Sequence, residues 1–116
     1  MKTKKELREA YKQMKFRMGV FQIRNTVNGK IYLDHSTNLD AIWNRHKMQL
    51  DFGRHPNTGL QADWLQYGEE NFRYEILGEI EHEDDPAKDY SKDLKALEQL
   101  FRDELQPFGA RGYHGK

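Results

Sequence analysis

The first residue whose type and position suggest chemistry is His46, a titratable side chain on a stripe that should be apolar. A period of about 100° per residue places it on the inner face of a helix predicted over residues 38–51. The other members of this stripe are Leu39, Ile42, Trp43 and Leu50. A buried imidazole needs a hydrogen-bond partner or a cleft. The helix alone therefore leaves two interpretations open, a hydrogen-bonded core histidine and a site histidine.

Glu98 is the second residue of this kind. It falls in the apolar stripe of a helix predicted over residues 91–105. The other members of that stripe are Leu94, Leu97, Phe101 and Leu105. A carboxylate in such a position costs free energy unless it is paired or binds a cation. Arg102 lies one helical turn further on and can pair with it, so a structural ion pair and a cation site are both open.

The elements that position these residues follow from turn and capping signals. Asn28-Gly29 between two β-prone runs predicts a hairpin with strands over residues 19–25 and 30–34. A two-residue turn would place Asn25 opposite Tyr32. Because side chains alternate along a strand, this pairing also predicts the residues that share one face. They are Phe21, Ile23 and Tyr32.

Three further elements complete the described pattern. The helix over residues 38–51 has its N-cap among Ser36, Thr37 and Asn38 and ends before Gly53. A helix over residues 59–67 ends at Gly68, and alternation predicts a third strand over residues 71–80.

Residues 1–17 are predicted to add a basic N-terminal helix. Apolar residues at helical spacing indicate an amphipathic helix over residues 3–14. Residues 1–17 carry seven Lys or Arg against two Glu, whereas residues 69–104 carry thirteen acids against five bases. The basic end can approach phosphate, but a formal net charge of zero argues against strong non-specific nucleic-acid binding.

Length and composition limit the number of domains and the kinds of site that this chain can have. A length of 116 residues predicts one domain, which we divide into residues 1–17 and residues 18–116. The lack of cysteine excludes disulfides and thiolate metal sites. An apolar run of about 18 residues and a signal-peptide pattern are both missing, so we expect a cytoplasmic protein without a membrane partner.

The ordered motifs of this chain resemble the GIY-YIG nuclease family over about residues 18–113. Gly19-Val20-Phe21 stands where the family has its first triplet, and Tyr32-Leu33-Asp34 where it has its second. Glu98 falls where the family places its single metal-binding glutamate. The remaining matches are Asn38-Leu39, Trp43, His46, Leu60-Gln61, Trp64, Tyr67-Gly68-Glu69 and Phe72.

The resemblance implies an α+β fold, a small three-stranded antiparallel sheet flanked by helices. It also implies a phosphodiesterase that cleaves DNA with one divalent cation, Mg²⁺ or Mn²⁺. In such a site Tyr32 would activate water and Glu98 would hold the metal. His46 is the third functional position that this chain retains.

Four positions depart from the family pattern. Phe21 replaces a tyrosine and lacks its hydroxyl, and Asp34 replaces a glycine and adds a side chain near the expected phosphate. His114 stands near where the family usually ends with an asparagine. Ile42 occupies the position of the catalytic arginine, which stabilises the charge building on phosphate. Losing such a contact costs on the order of 10²-fold in rate or more.

Other cations are candidates to replace that arginine. His35, next to the second triplet, is the best placed, although it would have to be protonated. Arg45 is about 60° from Ile42 around the helix and should point away. Arg24 is predicted on the opposite face of its strand from Tyr32.

Three functions fit this pattern. The first is a DNA-binding domain of the family with weakened or lost hydrolysis. The second is an active Mg-dependent endonuclease with a substitute cation. The third is a protein-interaction module that keeps only the fold. The acidic surface of residues 69–104, which would repel nucleic acid, favours this interpretation. We expect targeting to need a protein partner or the surface of this domain.

Overall fold

A three-stranded antiparallel sheet with the strand order β2-β1-β3 organises the computed structural model, which describes residues 16–82 and 88–115. The strands are Met18–Asn25 (β1), Ile31–Ser36 (β2) and Phe72–Ile80 (β3). The helices are Leu39–Asp51 (α1), Thr58–Tyr67 (α2) and Ser91–Leu105 (α3). The expected α+β fold is confirmed. The predicted helix over residues 3–14 lies outside the described residues.

The helix boundaries follow from side-chain caps. Asn38 accepts a hydrogen bond from the Ala41 N–H through its side chain and so begins α1. Asn57 does the same for α2 with the Leu60 N–H. Gly68 ends α2 with a φ of 85°, a conformation that favours glycine. None of the helices in residues 16–82 and 88–115 is long and apolar enough to cross a membrane.

The β1–β2 hairpin pairs two residues away from the predicted register. Tyr32 lies opposite Ile23 and not opposite Asn25. The Asn25 side chain accepts a hydrogen bond from the Val27 N–H at 2.8 Å, so the chain turns earlier, and Gly29 closes the loop with a φ of 79°. A shift of two residues leaves the faces unchanged. The shared face still holds Phe21, Ile23 and Tyr32.

The two faces of the sheet are covered by different helices. On the Phe21 face, α1 and α2 close a core whose buried members are Phe21, Ile23, Leu39, Leu50, Leu60, Trp64 and Phe72. On the other face, α3 lies so close that a Cβ on Gly78 would meet the Phe101 ring at 3.2 Å. Tyr32 therefore belongs to the α1 side of β2, and its neighbour Leu33 to the α3 side.

Gly19 lies where β1 and β3 approach too closely for a side chain. A Cβ there would lie far inside the van der Waals distance of the Gly78 carbonyl oxygen. The pairing of the two strands shifts between Val20 and Phe21, next to this contact. Gly19 thus lets β1 carry Phe21 into the core.

Replacing Gly19 with alanine should lower the free energy of unfolding by about 2 kcal/mol or more, because the backbone must move to admit the methyl group. Urea unfolding followed by tryptophan fluorescence measures the change. Gly115→Ala is the matched control, since a Cβ there has no atom within 4 Å. Equal stability of the two variants would contradict this account of the β1–β3 contact.

Candidate active site at the edge of the sheet

The predicted site residues meet at the outer edge of β2, where the two faces of the sheet adjoin. Asp34 lies on the α1 side, with its Oδ2 4.0 Å from His46 Nε2. His35 lies on the α3 side, with its Nδ1 2.9 Å from Glu98 Oε1. The His35 N–H donates to Asp34 Oδ1 at 2.8 Å, which turns the Asp34 carboxylate along the strand. Side chains of opposite faces therefore converge.

His46 is buried and hydrogen-bonded to a second histidine, which decides its tautomer. His46 Nδ1 lies 2.8 Å from His55 Nε2. The Asn57 N–H donates to His55 Nδ1 at 3.0 Å, so that nitrogen is an acceptor. Neutral His55 must then carry its proton on Nε2 and donate it to His46 Nδ1. Neutral His46 in turn carries its proton on Nε2.

This Nε2–H of His46 is a donor that points towards the site. It is buried and has no hydrogen-bond partner among the described residues. Burial, and then the neighbouring His55, lowers the pKa of His46 to about 4. Burial also lowers the pKa of His55. Both rings are therefore neutral at pH 7, and His46 can donate but not accept a proton from this position.

Glu98 is 16% exposed and is bound on both oxygens. His35 contacts Oε1, and Arg102 Nη2 donates to Oε2 at 3.0 Å. The ion pair between Arg102 and Glu98 that the sequence allowed is therefore present, and the other oxygen of Glu98 contacts His35. Burial, opposed by the His35 N–H and reinforced by the charge of Glu98, raises the pKa of Asp34.

Tyr32 is enclosed by three imidazoles. Its ring stacks on His114 at 5.1 Å and meets His46 and His55 edge-on at 5.5 Å and 5.4 Å between centroids. Burial, together with the charges of Asp34 and Glu98, raises the pKa of Tyr32 to about 12. The phenol is therefore protonated in the neutral range.

Two of the four positions that depart from the family pattern, Phe21 and Ile42, belong to or pack against the apolar core. Phe21 is fully buried, with its ring 5.6 Å from the His46 ring. Ile42 is half-buried and packs against the core cluster. Arg45 is exposed, and Arg24 forms an ion pair with Glu75 on the other face of the sheet. His35 is the candidate from the sequence that does reach the site.

Sequence reasoning did not find all of the residues around Tyr32. His55 lies in a loop, where periodicity gives no signal, and Arg102 was recognised only as a partner of Glu98. The tail that carries His114 folds back along β2. His114 accepts a hydrogen bond from the Leu33 N–H at 2.8 Å. The neighbouring Tyr113 and His114 in a glycine-rich tail were the available signal.

Asp34, His35 and Glu98 form a donor set that fits a divalent cation. One ligand atom from each lies within 4.8 Å of the other two. Two carboxylates supply the negative charge, and the unpartnered N–H of His46 lies beside them. The Glu98 expected to hold a metal is thus joined by two ligand-type neighbours from β2.

Comparison with known proteins identifies the class. The solved structure of the catalytic domain of the homing endonuclease I-TevI superposes with a TM-score of 0.69 and 29% sequence identity, covering 83% of this chain and 95% of that domain. A variant of that domain with glutamate replaced by alanine gives a TM-score of 0.66 at 29% identity, covering 78% and 86%. The fold is that of a homing-endonuclease catalytic domain.

Sequence comparison agrees. Intron-associated endonuclease 1 of Enterobacteria phage T4 is 36% identical over 67 residues, which is 58% of this chain and 27% of that protein. No protein-family model matches the chain. The chain is thus similar in fold and in sequence to an endonuclease, in agreement with its resemblance to the GIY-YIG nuclease family. It spans about a quarter of the length of the curated relative that it matches.

The tautomers of the histidines can be tested by long-range ¹⁵N–¹H NMR at pH 7. We expect His46 and His55 each to be protonated on Nε2, and His114 on Nδ1, because a backbone or ring N–H donates to the other nitrogen of each ring. His55→Ala removes the donor to His46 Nδ1, so the fixed His46 pattern should be lost. Protonation of His46 on Nδ1 in the unaltered protein would contradict the hydrogen-bond chain.

Proposed function

We propose that this chain is a DNA-binding GIY-YIG domain whose phosphodiester hydrolysis is weak or lost. One observation carries the proposal: the position of the catalytic arginine is held by Ile42, and the cations that reach the site are bound to Glu98. His35 and Arg102 each contact one oxygen of that carboxylate. Both basic side chains are therefore engaged within the protein and are not directed at a phosphate.

The remaining groups support binding of a phosphodiester more than its cleavage. The His46 Nε2–H and the Tyr32 hydroxyl are protonated at neutral pH and suit hydrogen bonds to an oxygen. Glu98 would hold a divalent cation, Mg²⁺ or Mn²⁺, which would polarise the phosphate. The Asp34 carboxylate adds negative charge at the same edge and opposes an anionic ligand.

The acidic surface is less opposed to DNA than the sequence suggests. Glu69 pairs with Lys47 at 2.8 Å, and Asp93 pairs with Lys88 at 3.4 Å. Such pairs reduce the local negative potential. The two relatives whose names describe an endonuclease also support DNA as the partner. Targeting through a further protein partner remains part of the proposal.

Restoring the arginine should restore cleavage. Ile42→Arg is expected to raise nicking of supercoiled plasmid in Mg²⁺ or Mn²⁺ by on the order of 10²-fold over the unaltered protein. Ala41→Arg is the matched control, because it adds the same charge at the neighbouring exposed position. An equal gain in both variants, or efficient metal-dependent nicking by the unaltered protein that is lost in Tyr32→Phe and Glu98→Ala, would refute a weakened site.

The second candidate is an active endonuclease with a substitute cation. It is favoured by the position of Arg102, a side chain of α3 that is 24% exposed and lies at the metal-binding glutamate. In that case Arg102→Gln or His35→Ala should abolish metal-dependent nicking. Nicking that survives in both variants would exclude these two cations as the substitute.

DNA affinity separates both candidates from a protein-interaction module. A fluorescence-anisotropy titration with duplex and branched DNA at low salt should show binding that weakens as salt rises, because phosphate contacts release counterions. The absence of binding at low salt would support the interaction module instead.

A further inference from the structure

The outer edge of β2 carries three ligand atoms whose spacing matches the coordination sphere of one ion. His35 Nδ1 lies 2.9 Å from Glu98 Oε1 and 3.9 Å from Asp34 Oδ1. Around an octahedral ion with bonds of about 2.1 Å, neighbouring ligands are about 3 Å apart and opposite ones about 4 Å apart. Both His35 distances fall within this range, and one ligand atom from each of the three residues lies within 4.8 Å of the other two.

A second, independent observation points into the same place. His46 Nε2 is buried, unpartnered among the described residues and 4.0 Å from Asp34 Oδ2. Because His55 and Asn57 fix this nitrogen as a donor, it cannot be a metal ligand itself. A buried donor without a partner is rare in native proteins. An oxygen of a bound ligand or of a repositioned Asp34 carboxylate would satisfy it.

Arg102 does not bind Oε1, the Glu98 oxygen that lies beside His35. It binds Oε2, whereas Oε1 faces His35. A hydrogen bond to the other oxygen of a ligating carboxylate orients the ligand and is a common outer-shell contact. The charges of two carboxylates and one guanidinium sum to about −1, which a divalent cation would more than balance.

We propose that Asp34, His35 and Glu98 form a transition-metal site that binds Mn²⁺ or Zn²⁺ in preference to Mg²⁺. The proposal rests on the proposed function in one respect, the use of Glu98 as a metal ligand. It adds a nitrogen ligand from His35 and a second carboxylate from Asp34, which stands where the family has a glycine.

The preference follows from ligand chemistry. Mg²⁺ favours oxygen ligands and retains several of its waters, whereas imidazole suits transition metals. Affinity for a mixed nitrogen and oxygen site rises from Mn²⁺ through the later first-row metals. A site made of Glu98 alone would show no such selectivity.

The test is an electron paramagnetic resonance titration of the full chain with MnCl₂ and no DNA. Free hydrated Mn²⁺ gives a strong multi-line signal that diminishes on binding. We expect one bound Mn²⁺ per chain that MgCl₂ displaces only in large excess. Electron spin echo modulation of the bound ion should show coupling to an imidazole nitrogen. This signature needs no substitution and would not arise if His35 acted only as a charge on Glu98.

Variants then assign the ligands. His35→Gln should weaken Mn²⁺ binding by about 10-fold or more and narrow the preference over Mg²⁺. Asp34→Gly should weaken binding likewise, and Glu98→Gln should abolish it. Asp103→Asn is the control, an exposed acid on the same helix, and should bind as the unaltered protein does. Thermal unfolding of each variant confirms that it is folded.

Several results would overturn the site: no stoichiometric Mn²⁺, displacement by an equal concentration of Mg²⁺, no nitrogen coupling, or unchanged binding in His35→Gln. Each would leave His35 as a hydrogen-bond partner of Glu98 only. Metal binding is measured without DNA, so its failure is distinct from that of the proposed function. A protein that binds Mn²⁺ through nitrogen but binds no DNA would uphold the site and refute the function.

Discussion

Glu98 is only 16% exposed, so its carboxylate needs hydrogen-bond donors to compensate for the lost hydration. The contacts that supply these donors hold α3 against the sheet. His35 on β2 binds one oxygen and Arg102 on α3 binds the other. The contact joins the helix to the outer strand at the point where Tyr32 and Asp34 emerge on the opposite face. The arrangement that assembles the site therefore also engages the basic side chains that a phosphate would need.

A second constraint is the direction of the hydrogen bonds. A chain of hydrogen bonds begins at the Asn57 N–H, which is held in place at the start of α2, and continues through His55 to His46. Each step leaves the next ring one choice of tautomer. The loop before α2 thereby determines that His46 presents a donor. The tautomer of His46 is thus set by backbone geometry and not by its own sequence neighbours.

The elements could be predicted because their signals are local. The caps at Asn38 and Asn57 and the apolar stripes of α1 and α3 depend on residues a few positions apart. The predicted hairpin register was wrong because the Asn25 side chain accepts the Val27 N–H, which strand pairing would otherwise use. The Asn-Gly dipeptide gives no signal of this hydrogen bond. The contacts of His55 and His114 join distant segments, so the pattern could not predict them.

The C-terminal segment with Tyr113 and His114 also affects the exposed edge of the sheet. Sheet order leaves β2 as an outer strand, whose unpaired backbone groups would be open to pairing with another molecule. The Tyr113 N–H donates to the Ile31 carbonyl oxygen at 3.0 Å, and the Leu33 N–H donates to the His114 ring. The chain thus caps its own exposed strand over this stretch. This guards against edge-to-edge aggregation while leaving the neighbouring Asp34 and His35 free of a fourth strand.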